Sequence, residues 1–279
     1  MSYEFSAQSF LSRELQENIL KPHSIARNAI TKGKYTVLGV GSTQLLSAAV
    51  FALSLNSSSP ARVVAASPHY LGMQTEFFAD EKCFRFYWES IPAQADGDIM
   101  IFTISKLTGH AGSRFGWALV KDEDVYLNML KYMQLAELGV SRDTQLRALQ
   151  LLKVVLEGDG REIFHFAYEK MRDLWEKISQ IVSLSNRYTI QDIPPQYCNF
   201  FEKVRGPSPA YVWLKCEREE DTNCNAVLRG ANIIGHLGSL FNASDRYVRL
   251  SLLKRDDDFN LLLYRLKELV SKEGGAETL

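Results

Sequence analysis

Helical periodicity is the first pattern along the chain. Apolar side chains at helical spacing predict a helix over residues 8 to 20, and Pro22 is expected to end it because proline cannot continue a helix. A second helix, rich in Leu and Ala, is predicted over residues 44 to 55. Ser42 or Thr43 is its expected capping residue, since a hydroxyl oxygen can accept a hydrogen bond from the first turn.

Four short apolar runs have the length of strands. They cover residues 35–40, 62–66, 99–104 and 115–120. The run 99–104 is almost continuously apolar, which is typical of a strand covered on both faces. Strands that alternate with helices in this way predict a layered α/β unit for the first 120 residues.

The pattern changes after Lys121. Two long helices are predicted, over residues 125–157 and 161–185, and the second carries one apolar stripe. Shorter elements follow, which predicts a smaller α+β domain at the C-terminus. We therefore expect a large domain over residues 1–186, linking helices included, and a small domain over residues 187–279.

Composition and charge narrow the class of protein. The 279 residues hold 32 Lys and Arg against 33 Asp and Glu, a net charge of −1 that gives no electrostatic footprint for nucleic acid or an anionic membrane. No run approaches the roughly 18 apolar residues of a spanning helix. The first 17 residues do not have the pattern of a signal peptide. We expect a cytoplasmic protein, or a secretory or vacuolar one if the natural N-terminus lies upstream.

A strand-to-helix turn is the first candidate site. Gly39-Val40-Gly41-Ser42-Thr43 leaves a predicted strand and enters a predicted helix. Free backbone N–H groups and the helix dipole suit a phosphate at such a turn. A dinucleotide fingerprint would have a third glycine where Gln44 stands, so a purely structural turn explains the motif equally well.

The segment from Ser105 to Trp117 is richer in chemistry. Lys106 directly follows the buried strand, where open α/β sheets place their ligands. A desolvated lysine there has a lowered pKa and an amine that is nucleophilic toward an aldehyde. Arg114, eight positions on, supplies a planar and permanently charged fork for a phosphate.

Arg249 is the third candidate. Strand alternation over residues 247–252 places Val248, Leu250 and Leu252 on one face and Arg249 on the other. Arg249 could therefore clamp a carboxylate bidentately, although a solvated arginine on an edge strand explains the pattern at least as well.

These segments resemble the alliinase and tryptophan aminotransferase-related family of plant pyridoxal-phosphate enzymes. The most specific stretch is 102–118 (FTISKLTGHAGSRFGWA), and similar stretches are 139–147, 207–213 and 246–253. The resemblance implies an α/β fold of the fold-type-I aminotransferase class, with a three-layer large domain and a smaller C-terminal α+β domain. It also implies a homodimer that uses pyridoxal 5'-phosphate on an amino acid and a keto acid.

The resemblance also implies roles for particular residues. Lys106 would bond covalently to the aldehyde of the cofactor and move the proton of the substrate Cα. The phosphate would be held by Gly41, Ser42, Thr43, Ser105 and Arg114. Tyr70 would stack on the pyridine ring, and Arg249 would bind the substrate α-carboxylate.

The chain also departs from the family. Members carry an Asn-Pro-rich segment and an Asp-x-Ala-Tyr-Tyr-Trp segment before the lysine strand, and the aspartate pairs with the pyridinium nitrogen. Here the chain passes from Trp88 almost directly to Ile91, so the central sheet should be truncated near residues 88–91. Asp80, Asp96 and Asp98 lack the matching surroundings. Without that carboxylate the electron sink weakens.

The cysteines leave one further question open. Cys216 and Cys224 flank a short segment like a disulfide-closed loop of alliinases, and two unpaired thiols are an equally good interpretation. For the function, the resemblance favours an aminotransferase acting on an L-amino acid, with an aromatic amino acid as the expected substrate. The alternatives are a Cβ–S lyase of the alliinase kind, acting on an alkyl-cysteine sulfoxide, and a catalytically impaired, truncated relative.

Overall fold

A computed structural model describes residues 3–6, 9–55, 61–63, 79–84 and 95–273. These residues form two compact units. The first unit contains the described chain up to Ile163 together with Cys198–Lys203. The second unit contains Phe164–Tyr197 and the chain from Val204 onward.

The elements of the first unit follow one another along the chain. The helices are α1 (Arg13–Ala26), α2 (Gly41–Ser54), α3 (Ile104–Leu107), α4 (Glu123–Glu137) and α5 (Arg142–Val155). The strands are β1 (Tyr3–Ser6), β2 (Ser9–Ser12), β3 (Tyr35–Gly39), β4 (Ala61–Val63), β5 (Ala79–Phe84), β6 (Ile99–Thr103) and β7 (Gly116–Val120).

A three-stranded sheet of order β3-β7-β6 forms the centre of this unit. Strand β7 lies between the other two and is antiparallel to both, so β3 and β6 run in the same direction. All five residues of β7 are buried, whereas β6, an outer strand of this sheet, is largely half-buried. Strands β4 and β5 pair with each other in a separate parallel sheet.

Helices cover both faces of the central sheet. Along β7, Trp117 and Leu119 pack in one core with residues of α1 and α5. Ala118 and Val120 pack in a second core with residues of α2 and α4. This three-layer arrangement confirms the predicted α/β class, and the strand alternation of β7 divides its side chains between the two layers.

The first helix differs from its prediction. It begins at Arg13 rather than residue 8, because the Ser12 hydroxyl accepts a hydrogen bond from the Leu15 N–H and caps it. Residues Ser9–Ser12 pair with β1 instead. Pro22 does not end the helix but is buried inside it, and the next residue, His23, is held in the core by two hydrogen bonds. Tertiary packing therefore outweighs the proline penalty.

The stretch predicted as one helix over residues 125–157 is two helices. Helix α4 ends where Leu138 and Gly139 both take positive φ angles of 56° and 95°. Ser141 then caps α5 by accepting a hydrogen bond from the Thr144 N–H. The left-handed backbone at two successive residues breaks the helical hydrogen-bond series.

The second unit is a four-stranded sheet with three helices. The strands are β8 (Tyr188–Ile190), β11 (Tyr211–Cys216), β12 (His236–Leu237) and β13 (Tyr247–Ser251), in the order β12-β13-β11-β8. The helices are α6 (Glu162–Val182), α7 (Cys224–Gly230) and α8 (Asp256–Ser271). A two-stranded sheet joins β9 (Gln196–Cys198) and β10 (Lys203–Arg205). From Phe164 onward, α6 belongs to this unit, although the sequence pattern joins it to the first domain.

Cys216 and Cys224 form a disulfide bond, which decides between the two interpretations of these cysteines. Both residues are fully buried in the core of the second unit. They join the end of β11 to the start of α7. Among the described residues, no helix is both long and apolar enough to cross a bilayer.

Candidate cofactor site

The carboxyl ends of β3 and β6 meet at one edge of the central sheet. The register sets Gly39 opposite Gly116, and Gly116 opposite Thr103, so these three residues form one row across the sheet. The turn after Gly39, the helix after Thr103 and the segment before Gly116 therefore leave the sheet together. This arrangement brings Gly41, Ser105 and Arg114 to the same edge.

Gly41 and Arg114 are matched by shape. Gly41 has a φ angle of +80°, and a Cβ built on it would lie 2.6 Å from Nη2 of Arg114. Only glycine allows the guanidinium to approach this backbone without strain. The Arg114 side chain is exposed and donates long hydrogen bonds of 3.4 Å to the carbonyl oxygens of Ala111 and Val40.

The start of helix α2 differs from the prediction. Ser42 and Thr43 do not cap the helix, because they lie inside its first turn. The residue before the helix is Val40, which offers no capping side chain. The amide oxygen of Gln44 instead accepts a hydrogen bond of 2.7 Å from the Val40 N–H. The first-turn N–H groups are thus left without a side-chain cap, as an anion site requires.

Thr103 is a site residue that the sequence reasoning missed. Its hydroxyl lies 2.8 Å from Ser105 Oγ and donates to the carbonyl oxygen of Phe115 at 2.8 Å, and it accepts from the Ser105 N–H at 3.1 Å. A hydroxyl has one proton, so Ser105 is the donor in the contact between the two hydroxyls. Thr103 therefore fixes Ser105 at the start of α3. A threonine at the last position of the strand was the available signal.

Two predicted site residues, Lys106 and Tyr70, lie partly or wholly outside the described part of the chain. The backbone of Lys106 lies in α3, directly after Ser105 and at the same sheet edge as Arg114. Tyr70 lies outside the described residues. Its predicted stacking role stays a prediction.

The aspartates before β6 are engaged elsewhere. Asp96 forms ion pairs of 2.9 Å with Lys34 and 3.1 Å with Lys121, and Lys121 also lies 3.6 Å from Asp98. Hydrogen bonds from Lys34 and then Lys121 lower the pKa of Asp96. Both aspartates precede the strand, whereas Lys106 follows it. The two aspartates and Lys106 are therefore at opposite ends of a five-residue strand, roughly 17 Å long.

Arg249 belongs to the second unit. Val248 and Leu250 are fully buried, and Arg249 projects from the other face of β13, which confirms the predicted alternation. Its guanidinium carbon lies 4.3 Å from the ring centre of Tyr211 and 4.2 Å from that of Phe241. Two aromatic rings thus hold the guanidinium in place by cation–π contacts.

His236 is the cross-strand neighbour of Arg249 in the register of β12 and β13. Partial burial, followed by the positive charges of Arg249 and Lys254, lowers the pKa of His236. A neutral imidazole is therefore favoured beside the guanidinium of Arg249.

Comparison with solved structures defines the fold. The aromatic aminotransferase of Pyrococcus horikoshii superposes with a TM-score of 0.69 at 12% identity, over 98% of this chain and 88% of that one. The multiple substrate aminotransferase of Thermococcus profundus gives 0.67 at 11% identity, over 99% and 84%. The fold is that of the fold-type-I aminotransferases.

Within this class, the chain belongs to the alliinase family. The sequence profile of the C-terminal alliinase domain, described as Allinase, matches residues 1–87 and 80–270. Tryptophan aminotransferase-related protein 3 of Arabidopsis thaliana is 42% identical, over 98% of this chain and 72% of the relative. Alliin lyase of Allium cepa is 38% identical, over 97% and 70%. The resemblance found in the sequence is confirmed.

The comparisons also bear on the gap near residues 88–91. The family profile matches in two pieces that meet at residues 80–87. The alignment with the Arabidopsis relative runs over 330 positions, although this chain has 279 residues. The relative therefore contains residues without a counterpart here, and the junction of the two pieces lies beside the predicted gap.

Proposed function

We propose that this chain binds pyridoxal 5'-phosphate and is an aminotransferase for an L-amino acid with an aromatic side chain, with a keto acid as amino acceptor. The observation that carries the proposal is the meeting of Gly41, Ser105-Lys106 and Arg114 at one sheet edge. The name of the Arabidopsis relative supports the aromatic substrate class.

The described residues fit the phosphate end of the cofactor. The first turn of α2 has no side-chain cap, and Arg114 stands beside it with an exposed guanidinium. Gly41 keeps this cradle open, since a Cβ there would collide with Arg114. The hydroxyls of Ser42, Thr43 and Ser105 would add donors, and Ser105 would turn its proton from Thr103 to the phosphate.

The remaining catalytic and substrate-binding roles would fall to Lys106 and Arg249. When bound, pyridoxal phosphate draws electrons from the substrate Cα and makes its C–H acidic. Lys106 would hold the cofactor covalently, and its amine would then carry the proton of the Cα. Arg249, fixed between Tyr211 and Phe241, would orient the substrate by binding its α-carboxylate.

The nitrogen end of the cofactor fits less well. Asp96 and Asp98, which lie just before β6, are at the wrong end of this strand and are paired with lysines. The profile junction at residues 80–87 supports the loss of the segment that supplies this carboxylate in the family. These observations favour a second candidate, a catalytically impaired relative that keeps the phosphate end and binds the cofactor without efficient turnover.

A third candidate is the Cβ–S lyase reaction, which the name of the Allium cepa relative supports. The same groups would serve it, since removal of the Cα proton is common to both reactions. The difference is that a lyase expels a leaving group from Cβ.

Product analysis separates these candidates. The purified chain is loaded with pyridoxal phosphate and given either L-tryptophan with a keto acid, or an alkyl-cysteine sulfoxide alone. Keto-acid-dependent formation of the indole keto acid supports the aminotransferase, and pyruvate release from the sulfoxide supports the lyase. If the cofactor binds and neither product forms, the impaired relative is the right assignment.

An insertion variant tests the third outcome, the impaired relative, more directly. Placing the extra segment of the Arabidopsis relative at the predicted gap between Trp88 and Ile91 should restore turnover if its loss is the defect. The same insertion in an Arg249→Gln background is the matched control, and it should raise the KM for the amino acid.

A further inference from the structure

The turn after strand β12 carries a sequence signal that the proposed function does not use. Asn242-Ala243-Ser244 matches the acceptor pattern for N-linked glycosylation, Asn-X-Ser with X other than proline. The full sequence contains one other such triplet, Asn56-Ser57-Ser58, which lies outside the described residues. A triplet of this kind is used only where it is exposed and where the chain enters a glycosylating compartment.

The local structure meets the first condition. Asn242 ends a short 3-10 helix, Gly238–Phe241, with a φ angle of 59°, and it is exposed, as is Ser244. Backbone hydrogen bonds from Asn242 to Ser239 and from Ala243 to Gly238 fix the turn. The asparagine and the serine of the triplet are therefore both accessible at the surface of this unit.

The disulfide meets the second condition. Cys216–Cys224 is fully buried in the same unit, so it is a structural bond rather than an exposed, exchangeable one. Disulfides of this kind form and persist in the secretory pathway and are rare in the cytosol. This observation favours the secretory alternative over the cytoplasmic expectation from the sequence, and in the secretory pathway the chain would meet the glycosylating enzymes.

We propose that Asn242 carries an N-linked glycan. The amide nitrogen of Asn242 forms a bond to C1 of an oligosaccharide carried on a lipid diphosphate. The bond between C1 and the diphosphate oxygen breaks, the lipid diphosphate leaves with the electron pair, and the amide loses one proton. The site is independent of the function proposed above.

The test is peptide mapping of the secreted chain. The full chain is expressed behind a cleavable secretion leader in plant or yeast cells, with Asn56→Gln to remove the other triplet. Digestion with peptide-N-glycosidase in H2(18)O labels each glycosylated asparagine as an aspartate. We expect the label at position 242, with a matching drop in intact mass.

Three variants complete the design. Ser244→Ala should abolish the label while keeping asparagine at the positive φ angle, and Asn242→Gln should do the same. Asn232→Gln is the matched control, because Asn232 is also an exposed asparagine with a φ angle of 59° but lies outside any acceptor triplet. An unlabelled Asn242 peptide overturns the proposal, whether or not the disulfide has formed in the same material.

Discussion

The guanidinium of Arg114 occupies the space that a Cβ at Gly41 would need, with 2.6 Å between that Cβ and Nη2. Gly41→Ala should therefore displace Arg114 and weaken pyridoxal phosphate binding about tenfold or more, since a charge-assisted hydrogen bond contributes roughly 1.5–3 kcal/mol. The positive φ angle adds a stability cost of roughly 1–3 kcal/mol. Fluorescence titration with the cofactor measures the first effect.

Gly112→Ala is the control for this variant. Position 112 is two residues from Arg114, and a Cβ there meets no atom within 4 Å. Its cofactor affinity should equal that of the unmodified chain. If the Gly41→Ala chain, confirmed as folded by circular dichroism, binds the cofactor as tightly as the unmodified chain, Arg114 does not hold the phosphate.

A buried histidine should make stability depend on pH. His23 Nε2 accepts a hydrogen bond of 2.9 Å from Trp117 Nε1, and its Nδ1 lies 2.8 Å from Asn28 Oδ1. Burial lowers the pKa of His23, against a smaller raising effect of the Asn28 hydrogen bond. The stabilisation is therefore complete above about pH 6.5, the unfolded value, and is lost as pH falls through the lower folded pKa.

Urea unfolding at a series of pH values between 7.5 and 5 checks this expectation. The unfolding free energy should fall with pH, and His23→Gln should be less stable at pH 7.5 and show a shallower slope. An identical slope in both chains would mean that His23 is not the titrating group.

Among the ion pairs of the described residues, Arg187–Asp221 should be the most costly to break. Both hydrogen bonds are 2.6 Å, and Asp221 is almost fully buried. Removing one partner with Arg187→Leu leaves a buried charge and should cost about 3–5 kcal/mol. The pair Lys177–Asp173 is exposed, so Asp173→Asn should cost less than about 1 kcal/mol.

Acid unfolding tests the same pair independently. The hydrogen bonds from Arg187, opposed by burial, lower the pKa of Asp221. Its contribution is present above about pH 3.9, the unfolded value, and disappears as pH falls through the folded value. Comparable losses for the buried and the exposed variants would contradict the structural account of the second unit.

The disulfide should stabilise the second unit measurably. It closes a loop between Cys216 and Cys224, eight positions apart, for which the chain-entropy relation gives roughly 2.5 kcal/mol. The double variant Cys216→Ala, Cys224→Ala should lose about this amount in urea unfolding. Addition of a reductant should lower the stability of the unmodified chain and leave the double variant unchanged.

The sequence predicts the fold where the pattern is strictly local. Alternation along β13 correctly separates Arg249 from Val248 and Leu250, because the period of a strand is two whatever it packs against. The apolar run at residues 99–104 likewise predicts the strand β6, but the expected cover on both faces is wrong, since Met100 is the one buried residue of the five in this outer strand. The alternation and the strand itself can be predicted without knowing which elements pack against them.

The sequence fails where distant residues decide. Pro22 stays within α1 because the following His23 is bound by Trp117, 94 positions away. The pairing of Cys216 with Cys224 depends on how β11 and α7 pack, so spacing alone left it open. The role of Thr103 could not be predicted, because it depends on the carbonyl oxygen of Phe115, which only the strand register brings near. The homodimer stays a prediction.

The central claim is that this chain holds pyridoxal phosphate through the sheet edge of Gly41 and Arg114, with Lys106 as the point of attachment. Reduction of the loaded chain with borohydride makes such an attachment permanent, and mass spectrometry of its peptides locates it. We predict a pyridoxyl adduct on Lys106 that is lost in Lys106→Ala and reduced in Arg114→Gln. No adduct, or one on another lysine, would contradict the account.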